Sequence, residues 1–303
     1  MDPKGLSNVG NTCYINSTVQ SLHHSIFFRE FIEENRPIKP CIRDAFGNYR
    51  AFLKQLSEVL PSYFQVFQQN DVHEFLMYYI DHLLESQKKS FRLSEPDTLD
   101  TAYKKLKFKC NKHWYQSFSP IMETMYFQIV RQTECAVCDK KNLNFENQAI
   151  LELDIVEGGD SVEDSIRRYF GNQFVDDWRC DVCRVKSDKN VVIQRLWYLP
   201  KILVLCVKRF KFMNNKMVKL KHPMVIPTIL NLKDVCLQQK IPYEYKLSSV
   251  INHLGSSYYG HYNSDLVSPD GSIIKIDDDI IVKRKNKLDE DNCYLLFYEQ
   301  SSG

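Results

Sequence analysis

The apolar positions of this chain follow two kinds of pattern, and the change comes near residue 125. Before it, apolar side chains recur at helical spacing. Ile15, Val19, Leu22 and Ile26 do so after Cys13, and Leu76, Ile80, Leu83 and Leu84 do so after Asp71. Asp71 and Glu74 have the spacing of a capping box, with Asp71 accepting from first-turn amides and Glu74 reaching back. After residue 125 the runs are short. Met125-Tyr126-Phe127-Gln128-Ile129-Val130 and Leu151-Glu152-Leu153-Asp154-Ile155 read as strands. Lys201-Ile202-Leu203-Val204-Leu205-Cys206-Val207 is nearly all apolar, the pattern of a strand buried on both faces. A last strand pattern lies at Cys293-Tyr294-Leu295-Leu296-Phe297-Tyr298, and the polar stretch 86–100 reads as an exposed loop. No fixed-period repeat, low-complexity tract or Gly/Ser/Pro-rich linker divides the chain, so the helical and strand parts are expected to be subdomains of one packed unit.

Composition narrows the class. With 303 residues, 44% hydrophobic and 26% charged, the chain is long enough to bury a core without covalent staples. A formal net charge of +2 gives no global pull toward nucleic acid or an acidic membrane. No run approaches the roughly 18 apolar residues of a membrane span. Residues 1–6 lack the basic-then-apolar pattern of a signal peptide. A reducing, intracellular setting is therefore expected. There the ten cysteines read as thiols, metal ligands or a nucleophile rather than a disulfide framework.

Four of the ten form two Cys-x-x-Cys pairs, Cys135 with Cys138 and Cys180 with Cys183. Two such pairs are the ligand set of a tetrahedral structural zinc site. About 41 residues separate the pairs, which suggests two strand hairpins pinned at their tips. Unbound or redox-active thiols are the alternative. Cys206 and Cys293 lie in apolar strand patterns and read as core. Cys41, Cys110 and Cys236 show no partner chemistry.

Cys13 differs from these. The turn-rich segment Gly5-Leu6-Ser7-Asn8-Val9-Gly10-Asn11-Thr12 runs straight into its helical pattern, with Thr12 or Asn11 placed to cap. A thiol in the first helical turn meets free amides and the positive end of the helix dipole, both of which favour thiolate. Those amides and the Asn8 side chain are placed to stabilise an oxyanion. Residue type and spacing alone leave two readings open, a buried cysteine near a cap and a nucleophile.

A nucleophilic thiol needs a base, and the base needs an orienting group. Of eight histidines, His261 stands out in Tyr258-Tyr259-Gly260-His261-Tyr262. It opens an alternating strand that ends at the turn sequence Ser268-Pro269-Asp270-Gly271, and the returning strand ends in Asp277-Asp278-Asp279. Counting outward from Pro269-Asp270 places His261 and Asp277 opposite one another on neighbouring strands. Taken without Cys13, the same residues read as a strand-end histidine and a solvated acidic loop.

These residues together resemble the ubiquitin-specific proteases. The segment from Gly5 to Leu22 is similar to the family's cysteine box, including Gln20 near its end. Gln69-Asn70-Asp71-Val72-His73-Glu74-Phe75-Leu76 resembles its glutamine box. Lys208-Arg209-Phe210, Gly260-His261-Tyr262, the Asp277-Asp278 pair and residues 292–298 resemble its later motifs, and the paired Cys-x-x-Cys motifs resemble its zinc site. The resemblance spans Gly5 to Tyr298.

The resemblance implies an α+β, papain-like cysteine protease fold. A helical thumb would cover about 1–115 and zinc-bearing β fingers about 126–206. A β-rich palm would draw on 116–125 and 207–303, all within one catalytic domain. It implies a ubiquitinyl hydrolase with Cys13 as nucleophile, His261 as base and Asp277 as orienting acid. Asn8 would serve the oxyanion, and Asp278 would be a neighbouring acid. Asp71, Glu74, Gln69, Gly260 and Tyr259 would meet the ubiquitin tail along a channel past residues 255–260. One structural Zn2+ per chain would sit on the four cysteines. The partners would be ubiquitin or ubiquitinated proteins, with room for an activating protein partner and none expected for nucleic acid or membrane. The location would be cytoplasmic or nuclear.

The departures are modest. Asn70 and His73 stand where glutamines are usual, Cys206 lies in a strand that is usually aliphatic, and Ile274 and Ile276 replace frequent aromatics. The chain begins almost at the cysteine box, as a bare catalytic core would. Two rival classes remain. One is an inactive ubiquitin-binding scaffold of the same fold. The other is a nucleic-acid-binding zinc ribbon, for which the basic run Lys283-Arg284-Lys285-Asn286-Lys287 is the sole sequence support.

Overall fold

The computed structural model describes residues 3–96, 98–238, 241–284 and 287–301, with Arg284 in backbone only. Of the basic run, Lys285 and Asn286 lie outside the described residues. Six helices come first: α1 (Cys13–His24), α2 (Ile26–Glu34), α3 (Tyr49–Val59), α4 (Val72–Ser86), α5 (Ala102–Tyr115) and α6 (Pro120–Met125). A seventh, α7 (Val162–Tyr169), interrupts the strands. In α1 the expected stripe Ile15, Val19 and Leu22 is buried, but Ile26 is not part of it. Ser25 takes an extended conformation that ends α1, and its hydroxyl then accepts from Phe28 N to cap α2. At α4, Asp71 caps by accepting from His73 N and Glu74 N. The reciprocal half of the capping box does not form, because the Glu74 carboxylate accepts from the Tyr78 hydroxyl instead. The strand expected from Met125 begins at Phe127, with Met125 closing α6.

Two sheets carry the rest. A four-stranded sheet runs β2 (Lys141–Gln148), β1 (Phe127–Glu134), β6 (Asn190–Tyr198), β5 (Gln173–Val175). The larger sheet has eight strands. Its main path is β15 (Ile280–Arg284), β14 (Ile273–Asp277), β13 (Gly260–Val267), β12 (Glu244–Gly255), β16 (Cys293–Gln300), β7 (Ile202–Val207), β3 (Ile150–Leu153), and β11 (Ile229–Asn231) pairs with β12. Small ribbons β4 (Asp160–Ser161) with β10 (Met224–Val225), and β8 (Phe210–Met213) with β9 (Lys216–Lys219), complete the fold. The stretch 126–206 thus divides its strands among the four-stranded sheet, the larger sheet, which takes β3 and most of β7, and the ribbon that holds β4.

Burial on both faces explains the continuous apolar run of β7. Ile202, Val204 and Cys206 pack into the core shared with α1, α4 and α6, while Leu203, Leu205 and Val207 pack into the core on the opposite face with α7. Alternation with period two sends successive side chains to opposite layers. Just beyond β7, Arg209 is fully buried. Its guanidinium donates to the carbonyls of Cys293, Leu220, His222 and Glu290, at 2.5 to 3.2 Å. The charge is thus solvated by backbone dipoles, and three chain segments are tied to one side chain. Among the described residues, no helix is long and apolar enough to cross a membrane.

Candidate active site

Cys13 is the first residue of α1, and its side chain is buried against a cleft of about 500 Å³. The turn before it is not closed as the sequence suggested. Thr12 stands at the cap position but makes no side-chain cap bond, and Asn11 (φ 54) donates to Phe67 O. The organising group is Asn8, whose Oδ1 accepts from Gly10 N and Thr12 N. By helix geometry the amides of Cys13, Tyr14 and Ile15 are left without intrahelical acceptors and surround the thiol with partial positive charge.

His261 opens β13, the strand against which α1 packs. Its Nε2 lies 2.5 Å from Asp277 Oδ1 and 4.0 Å from Asp278 Oδ2. The expected hairpin forms, but its register differs by two residues. Ser264 pairs with Ile276 and Asp265 with Lys275, so His261 reaches Asp277 on the diagonal rather than straight across. An even shift leaves both side chains on one face of the sheet, and a diagonal neighbour is still within reach. With a carboxylate at Nε2, that nitrogen carries the proton, and Nδ1 is left to face the thiol. His261 is pushed up to about 9, most by its contact with Cys13 and further by Asp277, against the opposing effect of burial.

Asp278 sits at φ 54, an unusual conformation for a non-glycine residue, and its bonds hold it there. Oδ1 accepts from Asn16 Nδ2 at 2.7 Å, and Oδ2 accepts from Asn8 Nδ2 at 3.0 Å. Its carbonyl accepts from Leu6 N. Asn16 also donates to Leu6 O and accepts from the Tyr49 hydroxyl. Asp278 therefore joins the cysteine turn, α1 and the acidic turn after β14. Asn16 was not singled out from sequence, although it lies one helical turn from Cys13 and so on the same side of α1.

The cleft running from Cys13 is lined by Gln69, Asp71, Glu74, Tyr259 and Gly260, as expected, and also by Phe210, His253, Tyr262 and Tyr294, which sequence reasoning missed. Asp71 is fully engaged. Beyond its two amide bonds, Oδ2 accepts from the hydroxyls of Tyr294 (2.9 Å) and Tyr262 (3.4 Å), both kept protonated chiefly by burial. Glu74 and Gln69 are exposed, and Tyr259 is 76% exposed at the mouth.

At the far end of the four-stranded sheet, the Sγ atoms of Cys135, Cys138, Cys180 and Cys183 lie within 4.8 Å of one another. Cys135 to Cys183 is 3.7 Å and Cys138 to Cys180 is 3.6 Å. Four sulfurs at about 2.3 Å from a central ion would be about 3.8 Å apart, so the spacing fits a tetrahedral thiolate site and is far too long for disulfides. The two knuckles repeat one design. In each, the residue four past the first cysteine has positive φ (Asp139, Arg184) and its amide donates back to that cysteine's carbonyl. Buried Asn190 bridges them, accepting from Ala136 N and donating to Trp178 O and Ser187 O.

A helical layer facing a mixed sheet across a cleft, with a β extension ending in four cysteines, is the papain-like α+β fold with thumb, palm and fingers. The chain belongs to the ubiquitin carboxyl-terminal hydrolase family, whose model matches residues 4–298. Similar proteins include ubiquitin carboxyl-terminal hydrolase 36 of Drosophila grimshawi, 25% identical over 97% of this chain and 25% of that protein. Ubiquitin carboxyl-terminal hydrolase 4 of Arabidopsis thaliana is 26% identical over 97% of this chain and 92% of that protein. The chain thus spans about a quarter of the Drosophila relative. Among solved structures it is similar to a chain of the SAGA Ubp8/Sgf11/Sus1/Sgf73 DUB module bound to ubiquitin aldehyde, with TM-score 0.78 and 19% identity, covering 99% of this chain and 70% of that one.

Proposed function

We propose that this chain is a deubiquitinating cysteine protease that hydrolyses the peptide or isopeptide bond after the C-terminal glycine of ubiquitin. The observation that carries the reading is His261, bonded to Asp277 at 2.5 Å and pushed up to about 9 by the thiol beside it. The imidazole beside the thiol is the base that takes its proton and makes Cys13 a nucleophile. The sulfur attacks the glycine carbonyl and a C–S bond forms. The α1 amides and Asn8 stabilise the oxyanion. His261 protonates the departing amine as the C–N bond breaks. Water, deprotonated by His261, then cleaves the thioester and restores the thiol. Asp277 fixes the ring, and Asp278 holds the turn that carries Asp277.

Glu74, exposed in the cleft and held through one oxygen by the Tyr78 hydroxyl, would meet basic residues of the incoming tail. Asp71 shapes the wall with its two tyrosines. The four cysteines would hold one structural Zn2+, which ties the two knuckles of the fingers. Ubiquitin as partner is supported by family membership and by the ubiquitin aldehyde in the Ubp8 module. That module's further subunits, Sgf11, Sus1 and Sgf73, support an activating partner for this chain as well. Ten free cysteines fit an intracellular setting. The test is a ubiquitin probe with an electrophile at its C-terminus. Wild type should be labelled at Cys13, and Cys13→Ala should not. Labelling of that variant at an equal rate would reject the assignment.

A further inference from the structure

The eight-stranded sheet ends at β15, which pairs with β14 alone among the described residues. Asp277 faces Ile280 across a two-residue loop, Asp278-Asp279. A loop of that length closes on a pair that exchanges both of its hydrogen bonds, and the exchange then falls on every second residue. The backbone groups of Ile280 and Val282 thus serve β14, and those of Ile281 and Lys283 point away from the sheet. They make no backbone bond outside the ladder among the described residues. The side chains along this edge are uncovered as well. Ile280 is 61% exposed, Val282 43% and Ile281 38%. A free edge of this kind is a template for an added strand.

The edge stands on one side of the catalytic pair. Gly260 and Tyr262 line the cleft, so alternation along β13 turns His261 to the other face, where it meets Asp277. Ile280 pairs with Asp277 and shares that face. Among the described residues, none from 277 to 283 lines the cleft. The turn before β15 is nonetheless pressed against the cysteine segment. Leu6 N donates to Asp278 O, and a Cβ on Gly5 would lie 2.6 Å from Asp279 Cα. With an acyl tail in the cleft, the departing amine leaves on the β14–β15 side. A strand added beyond β15 would be three strand spacings from β13, about 14 Å, which about four extended residues cover.

We propose that β15 docks the ubiquitinated protein: an extended segment of it adds antiparallel to the edge, with acidic residues opposite Lys283 and the modified lysine beyond Asp279. The inference rests on the hydrolase reading and extends it to the leaving side of the substrate. Charge sets the chemistry of the segment. The edge runs from the exposed acid Asp279 through three apolar residues to the exposed Lys283, and the sequence continues with Arg284-Lys285. Length decides against a partner that binds by this edge alone. Five residues bury far less than the roughly 1,000 Å² that a stable interface needs, and a lysine on an edge deters a second copy. A protein already held by its ubiquitin is different, because tethering makes a weak contact effective.

The test uses the full chain and ubiquitin joined by an isopeptide bond to the lysine of a synthetic peptide. One peptide carries an acidic, apolar stretch before the lysine. A second is the same peptide with the backbone amides of that stretch N-methylated. A fluorogenic ubiquitin amide carries no peptide. Wild type should cleave the first conjugate with about tenfold higher kcat/KM than the second, as one or two net hydrogen bonds would give. N-methylation changes nothing in the enzyme, so this comparison holds whatever a variant does to folding. Ile281→Pro removes an outward amide and should bring the two conjugates to one rate. Lys283→Glu should shift preference from the acidic peptide to one with lysines in place of its acids. Equal rates for the two conjugates in wild type, with the amide cleaved, overturn the inference and leave the hydrolase reading standing. A dimer that Ile281→Pro disperses would put a second copy on the edge and overturn it too. Failure of wild type on all three substrates overturns the hydrolase reading, and this inference with it.

Discussion

Asn16 donates to Asp278 across 2.7 Å, although the two residues are 262 positions apart. The bond joins the helix that presents Cys13 to the turn that presents Asp277. Asn16→Ala removes it together with the bonds to Leu6 O and the Tyr49 hydroxyl. We expect a loss of about 1–3 kcal/mol in urea unfolding, since buried polar partners are left unsatisfied. The kcat should fall more than KM rises, because the groups lining the cleft stay in place. Unchanged stability and kcat in this variant would mean that the asparagine bears no strain of the turn.

The protonated form of His261 is the one that the folded chain favours, because its pKa is raised from 6.5 to about 9. Its contribution to stability is complete below about pH 6.5 and is lost as pH rises through about 9. The difference in melting temperature between wild type and His261→Ala should therefore shrink across that window. Asp277→Asn withdraws one of the raising partners, so the same decline should be smaller and end at lower pH. A difference that grows with pH would reverse the sign and refute the pairing.

Metal should be found at about one zinc per chain, held by Cys135, Cys138, Cys180 and Cys183. Chelation or Cys138→Ser should raise amide exchange in β1, β2, β5 and β6 more than in β12, β13 and β16, because the knuckles lie at the end of the smaller sheet. Equal protection with and without metal would argue for a cluster of thiols that needs no ion.

Arg209 is expected to be among the most sensitive positions for folding. Arg209→Met leaves several buried carbonyls without a donor, and a loss above about 3 kcal/mol in chemical denaturation is expected. Arg209→Lys restores the charge but not the fork of donors, and should recover only part. Full recovery by lysine would show that charge alone is needed.

What could be read from the sequence was whatever depends on near neighbours. The Cys-x-x-Cys knuckles are local turns, and their spacing alone places two sulfurs on one side. The His261–Asp277 hairpin was legible as a face but not as a register, because the turn closes around Gly271 (φ +80), with Ser268 N bonded to Ser272 O, and shifts the pairing by two. The capping box was half legible. Asp71 has no choice of partner at a helix start, whereas Glu74 found Tyr78 one turn on. His253, Tyr262 and Tyr294 were missed because a histidine or tyrosine in an apolar strand carries no mark of what it faces. Their meeting depends on β16 lying beside β12, which no local pattern announces.

The position of β16 has a consequence for how the protein is made. This strand, residues 293–300, is inserted between β12 and β7, at the middle of the larger sheet. A ribosome delivers the Cys13 thiol at the start of synthesis and the strand that completes the sheet some 280 residues later. Contacts so distant along the chain form late. Until β16 arrives, His261 and Asp277 have no finished floor to stand on. The nascent thiol therefore meets its base only after most of the chain has been made.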